Sequence, residues 1–163
     1  DTYISRIKAC KAAAKRLRSD IVIIARTDAL QPLGYDECIE RLRRARDEGA
    51  DMGILEGFSS KAQARQAVMD LAPWPLCLNS VENGVSPLIS ANEARDMGFR
   101  VIIFSFAALA PAYMATKSTF EWLKAYGVTG NDVSPKTIFK CCGLEESMII
   151  DEQAGGNSFK HGV

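Results

Sequence analysis

Four short apolar runs recur along the chain, and each one ends in polar side chains. The runs are IVIIARTD, MGILEG, PLCLNSVENG and RVIIFSF, and their terminal polar residues are Arg26, Thr27, Asp28, Glu56, Asn79 and Ser105. A β-branched and aliphatic run before a helix is typical of a parallel strand that is buried on both faces. The carboxyl ends of parallel strands meet at one edge, where α/β proteins place their sites. The pattern therefore predicts one polar pocket built from four strands.

Strand and helix patterns alternate along the chain. The predicted strands cover residues 21–26, 52–56, 76–79 and 100–104. The predicted helices cover residues 3–18, 35–48, 60–71, 91–97 and 110–126, with one or two short helices within 135–148. Serines at 59–60 and 90 fit N-caps, and glycines at 49, 98 and 127 fit helix ends.

The strand spacing indicates a fold class. Strands begin near residues 21, 52, 76 and 101, which fits the repeat of a (β/α)8 barrel of about 250 residues. We expect an α/β chain that forms the C-terminal half of such a barrel over 1–127, with a C-terminal helical extension and tail over 128–163. The chain opens inside a helix without an initiator Met, so we expect the beginning to be missing. The alternative is a doubly wound sheet, but no GxGxxG or GxxxxGK[ST] motif follows any strand.

Composition narrows the functional classes. The 163 residues are 47% hydrophobic and 25% charged, with 20 basic residues balanced by 20 acidic ones. This balance gives no electrostatic case for nucleic acid or an anionic membrane. No apolar stretch approaches the roughly 20 residues that span a bilayer, and the amphipathic start does not resemble a secretory signal. We therefore expect a cytoplasmic protein that binds neither nucleic acid nor membrane.

The cysteines lack the spacing of a metal site. The chain has one histidine, His161, and no CxxC; its cysteines are Cys10, Cys38, Cys77, Cys141 and Cys142. We expect buried thiols in a reducing compartment, with a redox role for the vicinal pair as the alternative. No metal ligand set is predicted within this chain.

Several segments, in order, carry a resemblance to a known superfamily. ARTDAL, GYDECIERLRRARDEGADMGILEG, LNSVENGVSP and ISANEARDMGFRVIIF resemble the isocitrate lyase/phosphoenolpyruvate mutase superfamily over residues 1 to about 127. Within it, the chain is most similar to fungal oxaloacetate acetylhydrolases and to the related dimethylmalate and methylisocitrate lyases. The resemblance implies a homo-oligomer, a dimer or a tetramer, in which residues 128–163 pack on or exchange with a neighbouring subunit.

The resemblance also implies a Mg²⁺ or Mn²⁺ cofactor. Its aspartate ligands, and a K-K-C-G-H loop with a reactive cysteine, are expected to precede residue 1. The KCCG segment at 140–143 echoes that loop but follows the last strand, so the role is not transferred to it. We expect the isolated chain to be inactive.

Besides Ser105, five polar residues are candidates for the site. Arg26 offers a planar fork for a substrate carboxylate, although a structural salt bridge to Asp28 or Glu56 is the alternative. Glu56 is expected to handle a proton or to orient Arg26, with structural pairing as its alternative. Asn79 offers a donor and an acceptor to a carboxylate or enolate oxygen, or else it caps its loop. Asp28 and Glu82 are expected to support the site by bonding loop amides or arginines.

Ser105 indicates the branch of the superfamily. The resemblance places this residue where the lyases usually carry proline, and a serine resembles the oxaloacetate-cleaving branch. A hydroxyl can form a hydrogen bond with an OH group on the carbon to be cleaved, which proline cannot do. The alternative is a serine that bonds a neighbouring strand carbonyl.

Together these points lead to a functional prediction. The resemblance implies metal-dependent C–C bond hydrolysis of oxaloacetate to oxalate and acetate, with Arg26, Glu56 and Ser105 in catalysis. Arg26, Asn79 and Ser105 would bind the substrate, a small 2-oxo or 2-hydroxy dicarboxylic acid. Two alternatives stay open: a methylisocitrate or dimethylmalate type of lyase, and a non-catalytic half-barrel that serves as an assembly partner.

Overall fold

A computed structural model describes residues 2–157 of the chain. The chain divides into two compact units, Asp1–Ala110 and Pro111–Val163. The strands are β1 (Ile24–Thr27), β2 (Met52–Leu55), β3 (Cys77–Ser80) and β4 (Val101–Phe104). The helices are α1 (Thr2–Leu17), α2 (Leu30–Leu33), α3 (Tyr35–Asp47), α4 (Lys61–Leu71), α5 (Ala91–Met97), α6 (Leu109–Tyr126), α7 (Pro135–Cys141) and α8 (Leu144–Gln153).

The strands of the first unit are parallel and follow one another in chain order. β1 pairs with β2, and β3 pairs with β4. A parallel bridge between Gly53 and Leu76 joins the two pairs, and the Gly53 amide donates to the carbonyl of Pro75 at 3.1 Å. All four carboxyl ends therefore lie at the same edge, as parallel strands connected by helices require.

Gly53 is required at the junction between β2 and β3 because an indole ring lies against its backbone. A Cβ atom at this position would lie 2.5 Å from Cζ3 of Trp74. The indole N–H of Trp74 donates to the carbonyl of Ala50 at 3.0 Å, which fixes the ring in this place. Glycine thus allows the close approach.

The core of the first unit lies between the strands and helices α3, α4 and α5. The inward residues of α3 and α4 recur at helical spacing and are fully buried, among them Leu42, Ala45, Ala64, Ala67 and Leu71. Leu55 of β2 and Leu78 of β3 are buried in the same cluster. This packed base holds the strand ends in fixed positions.

The helix boundaries follow local capping signals. Ser60 caps α4 by accepting a hydrogen bond from the Gln63 amide. Ser90 and Glu93 form a capping box at the start of α5, which ends at Gly98 with φ of 100°. Lys61 of α4 binds the Glu93 carboxylate at 2.5 Å and joins the two helices. This contact, with the bonds to Ser90, lowers the pKa of Glu93 to about 2.

Two sequence predictions about the strands are wrong, and one short helix was not predicted. The first strand covers 24–27 rather than 21–26, and Ile21 and Val22 before it are exposed. The short helix α2 was not predicted, because four residues that include a proline carry no readable period. β1 and β4 are not buried on both faces, since Ile24 and Ile103 are 42% and 40% exposed. Among the described residues, no further strand lies beside either one.

The prediction of buried thiols is correct for two cysteines and wrong for three. Cys38 and Cys77 are buried, and burial raises the pKa of both thiols. Cys10, Cys141 and Cys142 are exposed, the first on the outer side of α1 and the others at the end of α7. All five are free thiols. His161 and the rest of residues 158–163 of the predicted tail lie outside the described residues.

The second unit is helical and exposes apolar side chains. Ser134 caps α7 by accepting from the Thr137 amide, with Pro135 at the first helical position. Within the described residues, α6, α7 and α8 contain no buried side chain. The exposed apolar residues include Phe120, Trp122, Ile138, Phe139 and Ile149. A search of the described residues for a helix with the length and apolarity to cross a membrane finds none.

Candidate active site

Arg26 lies near the carboxyl end of β1 and contacts two carboxylates. Its Nη2 donates to Oδ1 of Asp28 at 2.6 Å, and its Nε lies 3.1 and 3.2 Å from the two Asp28 oxygens. Its Nη1 lies 3.5 Å from Oε2 of Glu56. The hydrogen bond to Asp28, followed by the charge of Glu56, raises the pKa of Arg26 above its ordinary value. The guanidinium is therefore firmly charged.

Glu56 directly follows β2 and joins Arg26 to Asn79 of β3. The Asn79 Nδ2 lies 3.2 Å from Oε1 and 3.3 Å from Oε2 of Glu56. The Glu56 side chain is 22% exposed, less than that of Arg26 at 49%. One carboxylate thus receives a guanidinium from one strand and an amide from another.

Ser105 directly follows β4 and completes the contact series. Its Oγ donates to the side-chain oxygen Oδ1 of Asn79 at 2.5 Å. Ser105 therefore bonds a side-chain carbonyl rather than the strand carbonyl that was its alternative partner. Asn79, for its part, bonds two side chains that follow neighbouring strands.

A continuous series of polar contacts crosses all four strand ends. We call its five residues, Asp28, Arg26, Glu56, Asn79 and Ser105, the strand-end network. The sequence predicted that these strand ends form one polar site, and the structure brings these side chains together. Their roles toward a substrate stay predictions at this point.

Two polar residues of the same strand ends lie outside the network. Thr27 is 3% exposed and faces the core, where its Oγ1 accepts from the Ala29 amide at 3.4 Å. Glu82 is exposed in the loop after β3 and forms no hydrogen bond or ion pair with any described residue. The structure therefore shows no partner through which Glu82 would support the site.

A cavity of about 390 Å³ adjoins Arg26 and Asp28 and contains residues that the sequence did not indicate. Tyr3 and Arg6 of α1 and Arg41 of α3 contribute to its wall. Burial raises the pKa of Tyr3, whose hydroxyl has no hydrogen-bond partner among residues 2–157. These residues lie on amphipathic helices far from any strand end in sequence, so no pattern marked them.

The described residues do not fit a metal centre. Residues 2–157 contain no group of three or more His, Cys, Asp or Glu side chains placed to hold an ion. The strand-end network places two carboxylates on Arg26, where the guanidinium takes their charge.

Comparison with known proteins decides the family. The phosphoenolpyruvate phosphomutase family model matches residues 1–124 of the chain. The chain belongs to the phosphoenolpyruvate mutase/isocitrate lyase superfamily. The match covers the four strands, the helices between them and all five residues of the strand-end network. The superfamily predicted from the sequence motifs is confirmed.

Relatives within the superfamily include lyases and an acetylhydrolase. The 2-methylisocitrate lyase of Bacillus subtilis is 34% identical over 122 residues, which are 75% of this chain and 39% of the relative. A structure of oxaloacetate acetylhydrolase with the inhibitor 3,3-difluorooxalacetate is 62% identical, with a TM-score of 0.91, over 94% of this chain and 52% of that one. A trigonal crystal form of 2,3-dimethylmalate lyase is 56% identical, with a TM-score of 0.96, over 100% of this chain and 56% of that one.

These overlaps settle the fold class and the share of the fold that is present. The chain spans about half the length of the solved structures and about two fifths of the curated relative. Its parallel β/α units are part of the (β/α)8 fold of the superfamily, so the predicted fold class is confirmed.

Proposed function

We propose that this chain provides the substrate-binding part of an enzyme that cleaves oxaloacetate to oxalate and acetate. The observation that carries the proposal is the hydroxyl of Ser105, which lies in the strand-end network 2.5 Å from Asn79. By resemblance, a serine at this position belongs to the oxaloacetate-cleaving branch. The 62% identity to an oxaloacetate acetylhydrolase bound to 3,3-difluorooxalacetate supports the same branch.

The proposed reaction is hydrolysis of a C–C bond through a hydrate. Water adds to the 2-oxo group of oxaloacetate and gives a carbon with two hydroxyl groups. A base removes a proton from one hydroxyl, the C2–C3 bond breaks, and its electron pair moves to C3. C2 becomes a carboxylate carbon of oxalate, and the acetate enolate takes up a proton to give acetate.

Arg26 is proposed to bind a substrate carboxylate. A guanidinium has five N–H donors. Within the described residues two of them, on Nε and Nη2, donate to Asp28, while Nη1 lies 3.5 Å from Glu56. The N–H groups that form no hydrogen bond with a described residue are proposed to bind the ligand. A charged donor that neighbouring carboxylates hold in place loses little freedom when it binds an anion.

Glu56, Asn79 and Ser105 are proposed to act on the reacting end of the substrate. Ser105 would bond the hydrate, and Asn79 has an N–H that can reach a carboxylate or enolate oxygen. Glu56 would orient Arg26 and Asn79, which it contacts directly. The Mg²⁺ or Mn²⁺ ion that the resemblance implies finds no ligand set in residues 2–157, so no step is assigned to it.

A lyase of the same fold is the second candidate. The 56% identity to 2,3-dimethylmalate lyase and the 34% identity to a 2-methylisocitrate lyase favour it. Such an enzyme would take a 2-hydroxy acid, whose hydroxyl group resembles one hydroxyl of the hydrate. The same network would then bind a hydroxyl on the carbon next to the carboxylate.

The test uses the complete barrel, meaning a full-length protein in which these four strands are joined by the rest of the fold. Ser105→Pro is compared with wild type and with Ser105→Thr, which keeps the hydroxyl. Oxalate release from oxaloacetate is measured with Mg²⁺ or Mn²⁺ supplied, beside cleavage of 2-methylisocitrate and 2,3-dimethylmalate. Proline should lower oxalate release by roughly 10²–10³, since a hydrogen bond that strengthens in the transition state is removed.

Each alternative has its own outcome in this assay. Oxalate release that is equal in Ser105→Pro and wild type would make Ser105 structural and refute its role in cleavage of the hydrate. Wild-type cleavage of a 2-hydroxy acid without oxalate release would establish the lyase. A complete barrel that folds but turns over none of the three acids would favour the non-catalytic assembly partner.

We also propose that residues 128–163 pack on or exchange with a neighbouring subunit of a homo-oligomer. The apolar residues exposed on α7 and α8, such as Ile138, Phe139 and Ile149, support this. Light scattering on the complete barrel should give a dimer or tetramer, and a monomer would refute the proposal. Cytoplasmic location stays a prediction, for which five free thiols are favourable.

A further inference from the structure

We infer that Asn79 is a positioning residue that fixes the direction of the Ser105 hydroxyl, so that Ser105 presents only a hydrogen-bond acceptor to the ligand. The inference deepens the proposed function and rests on it for the place where the ligand binds. It follows from three contacts in the strand-end network, taken in order from Arg26 to Ser105.

The first contact fixes Glu56 as an acceptor. Its carboxylate lies 3.5 Å from the Arg26 guanidinium, and a carboxylate only accepts hydrogen bonds. The side-chain group of Asn79 that faces it must therefore be the NH₂ group. The reversed amide would place the oxygen of Asn79 within 3.2 and 3.3 Å of two carboxylate oxygens, with no hydrogen between any of them.

The second contact transfers this constraint to Ser105. With its NH₂ group on Glu56, Asn79 directs Oδ1 at the Ser105 Oγ, 2.5 Å away. A carbonyl oxygen has no hydrogen to give, so Ser105 must donate its single hydrogen to Asn79. The Ser105 oxygen then has only its lone pairs to offer to a ligand, so it can only accept a hydrogen bond from it.

The consequence is a chemical preference at this position of the site. A ligand group beside Ser105 is favoured when it brings a hydroxyl hydrogen, as a hydrate or a 2-hydroxy acid does. A ketone oxygen or a carboxylate oxygen would meet lone pairs and be repelled. The network thus selects the hydrated form of a 2-oxo acid over its free ketone, and Asn79 acts on that choice through Ser105.

The test compares two ligands that differ only in this group. Malate carries a hydroxyl at C2, whereas 2-fluorosuccinate has the same carbon skeleton with a fluorine that accepts weakly and cannot donate. Dissociation constants of both are measured by calorimetry on the complete barrel at constant Mg²⁺. Wild type should prefer malate by roughly tenfold, the effect of about one hydrogen bond, and Ser105→Ala should lose this preference.

The variants at residue 79 separate positioning from direct binding. Asn79→Ala leaves the Ser105 hydrogen free to turn towards the fluorine, so the malate preference should fall at least threefold. The ratio of the two constants cancels effects that weaken both ligands equally. Asn79→Leu, of similar volume, replaces the alanine variant if that variant does not fold.

Several outcomes would overturn the inference. They are equal binding of the two ligands by wild type, binding of neither ligand, and an unchanged malate preference in Asn79→Ala or Asn79→Leu. Oxalate release is an independent measurement. A complete barrel that releases no oxalate but shows the Asn79-dependent preference for malate refutes the proposed function and keeps the inference. A complete barrel that releases oxalate but lacks this preference keeps the proposed function and refutes the inference.

Discussion

At the scale of the residue, the planar shape of Arg26 matters as much as its charge. The guanidinium contacts Asp28 through two nitrogens and faces Glu56 through the third. An ammonium group carries the same charge on one nitrogen and cannot reach both carboxylates in one plane while it binds a ligand. Arg26 therefore has to supply geometry as well as charge.

Replacing Arg26 by lysine in the complete barrel tests this requirement. The loss of a bidentate, charge-assisted contact costs on the order of 2–3 kcal/mol, which is about 30- to 150-fold in kcat/KM. The melting temperature should change little, because the Arg26 side chain is 49% exposed in this chain. Kinetics and thermal melts are measured beside Arg16→Lys, which changes an exposed arginine of α1. Wild-type kcat/KM in Arg26→Lys would refute the role.

Sequence reasoning found the members of the network and, as an alternative, the pairing of Arg26 with Asp28 or Glu56, which the structure shows. It did not predict the contacts that Asn79 makes. Arg26, Glu56, Asn79 and Ser105 stand where apolar runs end, and strand ends are positioned by a packed sheet. The contact of Ser105 with Asn79 depends on tenths of an ångström and on side-chain torsions, which no residue pattern encodes. Glu82 lies in an irregular loop, where no strand or helix periodicity indicates the direction of its side chain.

At the scale of the element, helix boundaries were predictable because capping is a local interaction. Ser60, Ser90 and Gly98 act as the caps that their sequence context predicts. The start of the first strand was not predictable in this way. Residues 21 and 22 continue its apolar run, but the pairing with β2 begins only at Ile24, since pairing is decided by the partner strand.

The capping box of α5 predicts a pH-dependent stability. The pKa of Glu93 falls from an ordinary value of 4.5 to about 2, chiefly through the bond to Lys61 and then through those to Ser90. A carboxyl group with a lowered pKa in the folded state stabilises the fold above its unfolded-state pKa. That contribution is lost as the pH falls from about 4.5 towards 2.

Glu93→Gln in the complete barrel should therefore be less stable than wild type at pH 7. The difference in stability between the variant and wild type should narrow as the pH is lowered through this range, because wild-type Glu93 then becomes neutral as well. Urea midpoints measured from pH 7 to pH 3 give the comparison, and Glu40→Gln, at an exposed position of α3, is the control. A gap that is constant with pH would contradict the ionic origin of the effect.

At the scale of the whole molecule, the first unit is an open piece of a barrel. Within residues 2–157, β1 pairs only with β2, and β4 pairs only with β3. Each of these two strands therefore has one unpaired edge. The spacing of four strands was enough to predict this fold class, since a β/α repeat leaves few topologies. The apolar residues of β4, Val101, Ile103 and Phe104, are 39–43% exposed, which no property of the run VIIF itself reveals.

These open edges predict how the isolated 163-residue chain behaves. Unpaired backbone groups beside exposed apolar side chains form a template on which further chains can add. Light scattering after size exclusion should give masses above 17.8 kDa that rise with concentration, and heating should give a broad transition.

Ile103→Lys, which places a charge on the open strand β4, should reduce the association. The complete barrel has no such edges and should elute as one discrete oligomer at every concentration. A monodisperse monomer of the isolated chain with a sharp cooperative melt would mean that the four strands are stable as they stand.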